Sequence, residues 1–162
     1  MKTLVLVRHA KSSWSDPSLE DKDRPLNERG KRDAPAMGKR LADAGVKPDL
    51  ILSSSARRAR KTARILAKAL GCDFEDIRLD DGLYAVGAED LLAALRRLGD
   101  KPGCVMLVGH NPELTELAHG LSSRIAAMPT CAVAVFEFDA RSWPEAVRQA
   151  PASVTFYAPK EP

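Results

Sequence analysis

Two histidines and two arginines stand where apolar runs of the chain end, and their side chains could do chemistry together. Arg8 and His9 directly follow the first apolar run, His110 follows a later one, and Arg58 lies in a basic stretch after another. Arginine grips phosphate oxygens with a planar fork, while histidine offers a nucleophilic nitrogen or a proton-carrying donor. These residue types favour phosphoryl transfer, in which positioning and charge neutralisation provide most of the catalysis.

The apolar runs that precede these residues are predicted β-strands. The first three are continuous enough to be covered on both faces of a sheet. Pro151 and Pro159 flank a weaker last run, which is therefore expected at a sheet edge. The predicted strands are residues 3–7, 49–54, 104–109, 132–138 and 153–157.

Amphipathic stretches separate the runs, and several of them stop at a glycine. The predicted helices are residues 30–44, 56–70, 88–98 and 112–121, the last with Asn111 as N-cap and Pro112 at its first position. Residues 11–29 are polar and contain proline, so they are predicted to form a surface loop. Alternating strands and helices predict the α/β class, as a three-layer α/β/α sandwich with a largely parallel sheet, in one domain spanning residues 1–162.

Parallel strands end at one edge of the sheet, so the histidines and arginines are expected to converge there. Arg57, Arg58 and Arg60 lie in or beside the first turn of the second predicted helix. Cations are disfavoured at that end of a helix, and a bound anion would offset their repulsion. The sequence therefore predicts a phosphate-binding pocket formed by Arg8, His9, Arg58 and His110.

Composition sets limits on the class of protein. The chain has 162 residues and a formal net charge of +3, which gives no case for nucleic acid as a partner. No apolar run is long enough to cross a membrane, and the first residues lack the pattern of a signal peptide. Cys72, Cys104 and Cys131 are widely spaced and match no metal-ligand pattern. We therefore expect free thiols, a cytoplasmic location, and no metal, cofactor or membrane partner.

The four site residues fall within motifs that resemble those of the histidine phosphatase superfamily. "LVLVRHAKSSW" is similar to its opening signature, "SSSARRARKTA" to its second motif and "LVGHNPEL" to its third, while "DRPLNERGKRDA" matches a common helix entrance. The resemblance implies a phosphoglycerate mutase-like fold. It also implies that His9 is the nucleophile and that Arg8, Arg58 and His110 hold the phosphoryl oxygens.

Within the superfamily, the compact chain resembles the SixA-type phosphohistidine phosphatases. Only about 20 residues separate Leu70 from Leu91, where larger members carry insertions that cover the pocket. An open pocket suits a phosphorylated side chain on a protein, so the resemblance implies a phosphohistidine protein as substrate. Ala10 stands where the superfamily usually has glycine, and its methyl group is expected to trim the pocket.

The segment that carries the general acid in the superfamily has no acid at the matching place. Tyr84 and Ala85 stand there, and the nearby acids are Asp80, Asp81 and Glu89. A phosphate ester expels an alkoxide, which needs a proton from the enzyme. A phosphoramidate expels imidazole, whose conjugate acid has a pKa of about 6.5, so that solvent can protonate it. A pocket without a placed acid is therefore expected to favour phosphohistidine.

Three alternatives remain open at this point. A metallohydrolase would also gather histidines at strand ends, although it would want carboxylates rather than arginines beside them. A nucleic-acid-binding module could use the basic stretch 56–64, although it would not need Arg8 and His9 at the end of a buried strand. Within the superfamily, the alternative is hydrolysis of a small phosphomonoester or phosphoanhydride.

Overall fold

Strands and helices alternate along the chain in the computed structural model, which describes residues 1–160. The strands are β1 (Lys2–Arg8), β2 (Leu50–Ser54), β3 (Ile77–Asp80), β4 (Cys104–Gly109), β5 (Val133–Phe138) and β6 (Ser153–Tyr157). The helices are α1 (Glu28–Asp43), α2 (Arg57–Ala69), α3 (Ala88–Arg96), α4 (Glu113–Leu121) and α5 (Trp143–Ala146). Single turns of 3-10 helix occupy Asp21–Asp23, Phe74–Asp76 and Asp81–Leu83.

The strands form one sheet in the order β3-β2-β4-β1-β5-β6. The first four strands in that order pair in parallel, whereas β5 is antiparallel to both of its neighbours. The largely parallel sheet is therefore confirmed, and so is the edge position of the last strand. β2, β4 and β1 are adjacent, which brings their carboxyl ends to one edge of the sheet.

Helices cover both faces of the sheet and complete the three layers that the sequence predicts. Along β1, Leu4 and Leu6 face one apolar cluster, while Val5 and Val7 face another. The first cluster packs against α3, α4 and α5, and the second packs against α1 and α2. Both clusters are closed to solvent, which explains why the central strands read as continuous apolar runs rather than alternating ones.

Several boundaries and two elements differ from the sequence prediction. β3 and α5 were not predicted, because β3 is a half-exposed edge strand without an apolar run and α5 has only four residues. α1 begins two residues early, since the Asn27 side chain accepts a hydrogen bond from the Gly30 amide. α4 begins at Glu113 rather than Pro112, and the Asn111 side chain instead accepts from the Thr115 amide.

Candidate active site

His9 and His110 lie side by side at the carboxyl ends of β1 and β4. Arg8 is paired with Gly109 in the parallel ladder, and the His9 amide continues it by donating to the Gly109 carbonyl over 3.1 Å. The two imidazole ring centres are 5.0 Å apart. Each histidine is only 6% exposed. The sheet register therefore brings together two histidines that are far apart in sequence.

The backbone after β1 fixes the orientation of the His9 ring. Its Nδ1 lies 2.7 Å from the Ala10 carbonyl, which can only accept, so Nδ1 carries the hydrogen. Nε2 then has the lone pair and accepts from Arg58 Nε over 3.3 Å. Burial is the main cause that lowers the pKa of His9 to about 3; the Ala10 bond opposes this shift, and the neighbouring His110, Arg58 and Arg8 add to it. His9 is therefore a neutral imidazole with Nε2 available as a nucleophile.

His110 is held through Nε2, whereas His9 is held through Nδ1. Its Nε2 lies 2.8 Å from the hydroxyl of Ser54, the last residue of β2. Ser54 Oγ accepts from the Ala56 amide and keeps its own hydrogen free for His110 Nε2, which would leave the ring hydrogen on Nδ1. His110 Nδ1 is buried, and it has no hydrogen-bond partner among residues 1–160. Burial, followed by Arg58, lowers the pKa of His110 to about 4.

Two guanidinium groups complete the cluster. Arg58 is 8% exposed and lies in the first turn of α2, and Arg8 donates to the Met128 carbonyl over 3.1 Å. Arg8 Nε is buried without a partner among the described residues. Burial and the charge of Arg58 lower the pKa of Arg8. A doubly charged anion would neutralise these two partly desolvated cations and accept a hydrogen bond from the unpartnered ring nitrogen.

A threonine in α2 ties Arg58 to the end of β1. Thr62 Oγ1 accepts from the Ala10 amide over 3.0 Å and donates to the Arg58 carbonyl over 2.8 Å. The Ala10 methyl is fully buried in the apolar cluster beneath α1 and α2. It therefore packs into the core, and the expectation that it trims the pocket is wrong.

The loop between β1 and α1 is clamped at its base. The Asn27 amide donates to the Lys11 carbonyl over 3.0 Å, and the Ser13 amide donates to the Pro25 carbonyl over 2.7 Å. Gly30 in α1 lies against this base, because a Cβ atom there would be 2.2 Å from the Lys11 carbonyl oxygen. The segment directly after His9 therefore rests on the backbone of α1, while Asp21–Asp23 of the same loop lies against α2.

Asp21 and Tyr84 belong to the site and were not predicted to act there. Arg58 donates to the Asp21 carbonyl over 2.6 Å and to its carboxylate over 3.0 Å. The Tyr84 hydroxyl donates to the same carboxylate over 2.7 Å, and its ring lies edge-on to His110 with centres 5.5 Å apart. The Tyr84 bond, followed by Arg58, lowers the pKa of Asp21, so this carboxylate is ionised at neutral pH. Asp21 lies in a loop without periodicity, so no local signal marks it, whereas Tyr84 occupies the position of the missing acid.

The three acids named as candidate proton donors lie outside the histidine cluster. Asp80 accepts from the Gly82 amide, and Glu89 faces Arg96 on the surface of α3. Asp81 is exposed, where it pairs with Lys22 and accepts from Ser55. Within residues 1–160, none of the three forms a hydrogen bond with either site histidine or either site arginine.

Neither a metal cluster nor a membrane span is found in the described part of the chain. Residues 1–160 contain no group of three or more histidine, cysteine or acidic side chains arranged to hold a metal ion. None of their helices combines the length and the apolar character needed to cross a bilayer.

Comparison with known proteins identifies the family. The model of the histidine phosphatase superfamily (branch 1) matches residues 4–91. An uncharacterised chloroplastic protein of Arabidopsis thaliana is 35% identical over 153 residues, which cover 90% of this chain and 70% of that protein. The chain belongs to the histidine phosphatase superfamily.

Other superfamily members resemble this one over different lengths. A crystal structure described as the phosphohistidine phosphatase SixA of Agrobacterium tumefaciens superposes with a TM-score of 0.83 and 31% identity, covering 98% of each chain. A 2,3-bisphosphoglycerate-dependent phosphoglycerate mutase of Bartonella tribocorum is 41% identical over 80 residues, or 48% of this chain and 39% of the mutase. The SixA likeness therefore extends over the whole fold, whereas the mutase likeness covers half of the chain. These comparisons support a phosphatase of the superfamily.

Proposed function

We propose that this superfamily member is a phosphohistidine phosphatase that removes the phosphoryl group from histidine on a protein through a covalent intermediate on His9. The observation that carries the proposal is the state of His9. Its ring is neutral, its Nδ1 is held by the Ala10 carbonyl, and its Nε2 lone pair faces the Arg58 guanidinium. A fixed neutral nucleophile beside cations suits attack on a phosphoryl group.

The reaction takes two steps. His9 Nε2 attacks phosphorus, so a nitrogen–phosphorus bond forms to His9 while the bond to the substrate imidazole breaks. The displaced imidazole leaves neutral because its other nitrogen has taken a proton from solvent. Water then attacks the phosphoryl group, the bond to His9 breaks, and inorganic phosphate leaves with regeneration of the imidazole. Arg8, Arg58 and His110 bind the equatorial oxygens in both steps.

The surroundings of the cluster support phosphohistidine over a phosphate ester. Asp21 is the carboxylate that Arg58 contacts, and its lowered pKa makes it a poor proton donor. The Tyr84 hydroxyl already donates to that carboxylate, which raises the pKa of the phenol. An ester leaving group would need a proton that these residues are not arranged to give, whereas an imidazole takes it from solvent.

The likeness to the Agrobacterium protein supports the same substrate class. The partial likeness to mutases favours one alternative, hydrolysis of a small phosphomonoester or phosphoanhydride. The cytoplasmic location and the single-domain organisation stay predictions.

A panel of substrates tests the proposal. The purified protein is assayed against a phosphohistidine protein, a phosphoserine peptide, sugar phosphates and an aryl phosphate, with His9→Ala as the control for contaminating activity. We expect kcat/KM for phosphohistidine to exceed that for phosphoserine by at least about a hundredfold, the scale of one missing acid catalyst. A sugar phosphate that matches or exceeds phosphohistidine would contradict the proposal and favour the small-molecule alternative.

Anion binding tests the pocket separately from turnover. We expect tungstate or vanadate to bind within hydrogen-bonding range of Arg8, His9, Arg58 and His110, and His9→Ala to weaken binding less than Arg58→Ala. A crystal structure with tungstate bound outside this cluster would remove the basis for the mechanism.

A further inference from the structure

The cations of α2 lie on two separate faces of the helix. Arg58 faces the histidine cluster, whereas a stripe of four cations faces outward at i, i+3, i+4 and i+7 spacing. We call Arg57, Arg60, Lys61 and Arg64 the α2 stripe. The helix begins at Arg57 and ends at Ala69, with the apolar stripe of Ala59, Ala63 and Leu66 buried. The α2 stripe is therefore neither part of the core nor part of the proposed phosphate pocket.

The α2 stripe lines a groove with a volume of about 270 Å³. Pro25, Leu26 and Lys31 form the opposite wall, so every charged group that lines the groove is a cation. Lys31 lies 3.5 Å from Glu28, whereas within residues 1–160 no residue of the α2 stripe has a carboxylate within ion-pair distance. The Nε atom of Arg60 is buried, and it has no hydrogen-bond partner there either. The groove thus holds five cations and one unsatisfied donor.

This arrangement works against the stability of α2. Like charges three and four residues apart repel, and cations in the first turn oppose the helix dipole. Among the helices of residues 1–160, α2 stands alone in having no acid in its first turn. The chain as a whole is nearly balanced, with 25 basic and 22 acidic residues, so the stripe does not reflect a generally basic protein. Charge placements that oppose helix stability in this way are expected where a surface binds a ligand or a partner.

The groove and the proposed pocket share the first turn of α2. Arg57 lines the groove and directly precedes Arg58, whose side chain contacts His9. Leu26 on the opposite wall pairs with Ser12, three residues after His9. A protein whose surface covers the first turn of α2 would therefore contact both the groove and the pocket.

Length and lining indicate the chemistry of the occupant. Arg57 and Arg64 are seven residues apart, so the stripe is about 10 Å long at about 1.5 Å per helical residue. That length matches a few carboxylates on a protein surface, and Pro25 and Leu26 offer apolar contact beside them. No aromatic side chain lines the groove, so it offers no stacking platform for the bases of single-stranded nucleic acid.

We propose that this groove docks an acidic surface of the phosphorylated protein on which the enzyme acts. The proposal rests on the proposed function, because it supplies the partner for the same site. The groove binds carboxylates next to the phosphohistidine, while the pocket binds the phosphoryl group itself. Selection among phosphoproteins then depends on the residues around the phosphohistidine as well as on the phosphoryl group.

Two matched phosphohistidine peptides test this docking, one with four glutamates beside the phosphohistidine and the other with four glutamines. The test variant is Lys61→Glu/Arg64→Glu. The control variant is Lys39→Glu/Lys101→Glu, which makes the same change in net charge at exposed residues outside the groove. We expect wild type and control to prefer the glutamate peptide by about tenfold in kcat/KM, and the test variant to lose that preference. The preference should also shrink as salt is added.

Binding without turnover separates this proposal from the proposed function. The unphosphorylated glutamate peptide, carrying a fluorophore, is titrated with wild type and both double variants by anisotropy. Weaker binding to the test variant alone supports docking, even where the phosphohistidine peptides are not hydrolysed and the proposed function fails. Equal binding to all three proteins overturns the docking proposal, as does tighter binding of a single-stranded oligonucleotide that Lys61→Glu/Arg64→Glu abolishes. Circular dichroism of the double variants confirms that α2 remains folded.

Discussion

A histidine follows the carboxyl end of each of the adjacent strands β1 and β4, at the same level of the sheet. The two histidines are nevertheless anchored through different ring nitrogens. His9 is anchored through Nδ1 by a backbone carbonyl and presents the Nε2 lone pair to Arg58. His110 is anchored through Nε2 by the Ser54 hydroxyl, and its buried Nδ1 lacks a hydrogen-bond partner among residues 1–160. Both rings are neutral, because burial lowers the pKa of each.

The difference shows that strand register and local partners set separate properties. Register brings the rings to within 5.0 Å of each other, but it does not determine which nitrogen carries the hydrogen. A backbone carbonyl fixes one tautomer because it can only accept. The Ser54 hydroxyl accepts from the Ala56 amide and gives its own hydrogen to His110 Nε2, so Nδ1 keeps a hydrogen for a phosphoryl oxygen. The first ring is suited to attack and the second to binding.

Removing the two rings in turn should have the largest effect. His9→Ala should abolish turnover and leave no covalent label, because the nucleophile is gone. His110→Ala should slow both steps by about a hundredfold, the scale of one lost transition-state contact, and still allow labelling at His9. Rapid quenching with a labelled phosphodonor, followed by mapping in alkali, where phosphohistidine survives, measures both. Label on His110 in the wild type would reverse the assignment of the two rings.

Loss of Arg58 should have the next largest effect on activity. Arg58→Ala should lower kcat/KM for an aryl phosphate by about 10²–10³, since it removes a charged contact to the transition state. Arg57→Ala and Arg60→Ala are the matched controls on the same turn of α2, and they should lose far less because their side chains line the outer groove. An aryl phosphate has no protein surface that could bind in the groove, so its hydrolysis measures the pocket alone. Equal losses at all three positions would mean that a diffuse positive surface, rather than one placed guanidinium, acts on the substrate.

Asp21 should affect the site through Arg58. Asp21→Asn should lower kcat about tenfold for phosphohistidine and for an aryl phosphate alike, because a loosened guanidinium is misplaced for both substrates. Tyr84→Phe keeps the carboxylate and serves as the milder comparison. A general acid would behave differently, since its loss would affect the ester far more than the phosphoramidate. A loss confined to the ester would therefore overturn the positioning role of Asp21.

The anchor of His110 should have a smaller effect. Ser54→Ala should lower kcat/KM a few-fold, on the scale of one hydrogen bond of about 1 kcal/mol. It should also change the tautomer balance of His110, measured from the ring nitrogen shifts by NMR, while His9 keeps its signals. Ser53→Ala is the matched control, because that buried hydroxyl donates to a backbone carbonyl instead. Unchanged shifts for His110 would show that Ser54 does not select its tautomer.

Acid should destabilise the fold through the same two rings. Their folded-state pKa values, about 3 and about 4, lie below the ordinary value of 6.5. Between these limits the unfolded chain binds protons that the folded chain does not, so the free energy of unfolding falls as pH falls. Each histidine should contribute at most about 2 kcal/mol to the loss between pH 7 and 5. Urea unfolding at both pH values measures it, and His9→Gln should show the smaller loss. An identical loss in that variant would contradict the neutral state of His9.

The parts of this site that the sequence predicts are those that follow strands. Arg8, His9 and His110 were predictable because continuous apolar runs mark β1 and β4, and parallel strands end at one edge. Arg58 was predictable from the basic helix entrance and the resemblance of its motif. Asp21 was not, since its place depends on how a loop folds back onto α2. Likewise, β3 was missed because a short edge strand need not be apolar, as its half-exposed residues show.

The clamped base of the loop between β1 and α1 has a consequence for rates. Backbone hydrogen bonds and the close approach of Gly30 fix the segment after His9, whereas Asp21 lies farther along the loop, against α2, and is about half exposed. Withdrawal of Asp21 from the site then needs only a loop motion, which takes nanoseconds to microseconds. Typical enzymes turn over about 1 to 10³ times per second. The support that Asp21 gives to Arg58 should therefore be lost and restored many times within each catalytic cycle, without disturbing the nucleophile.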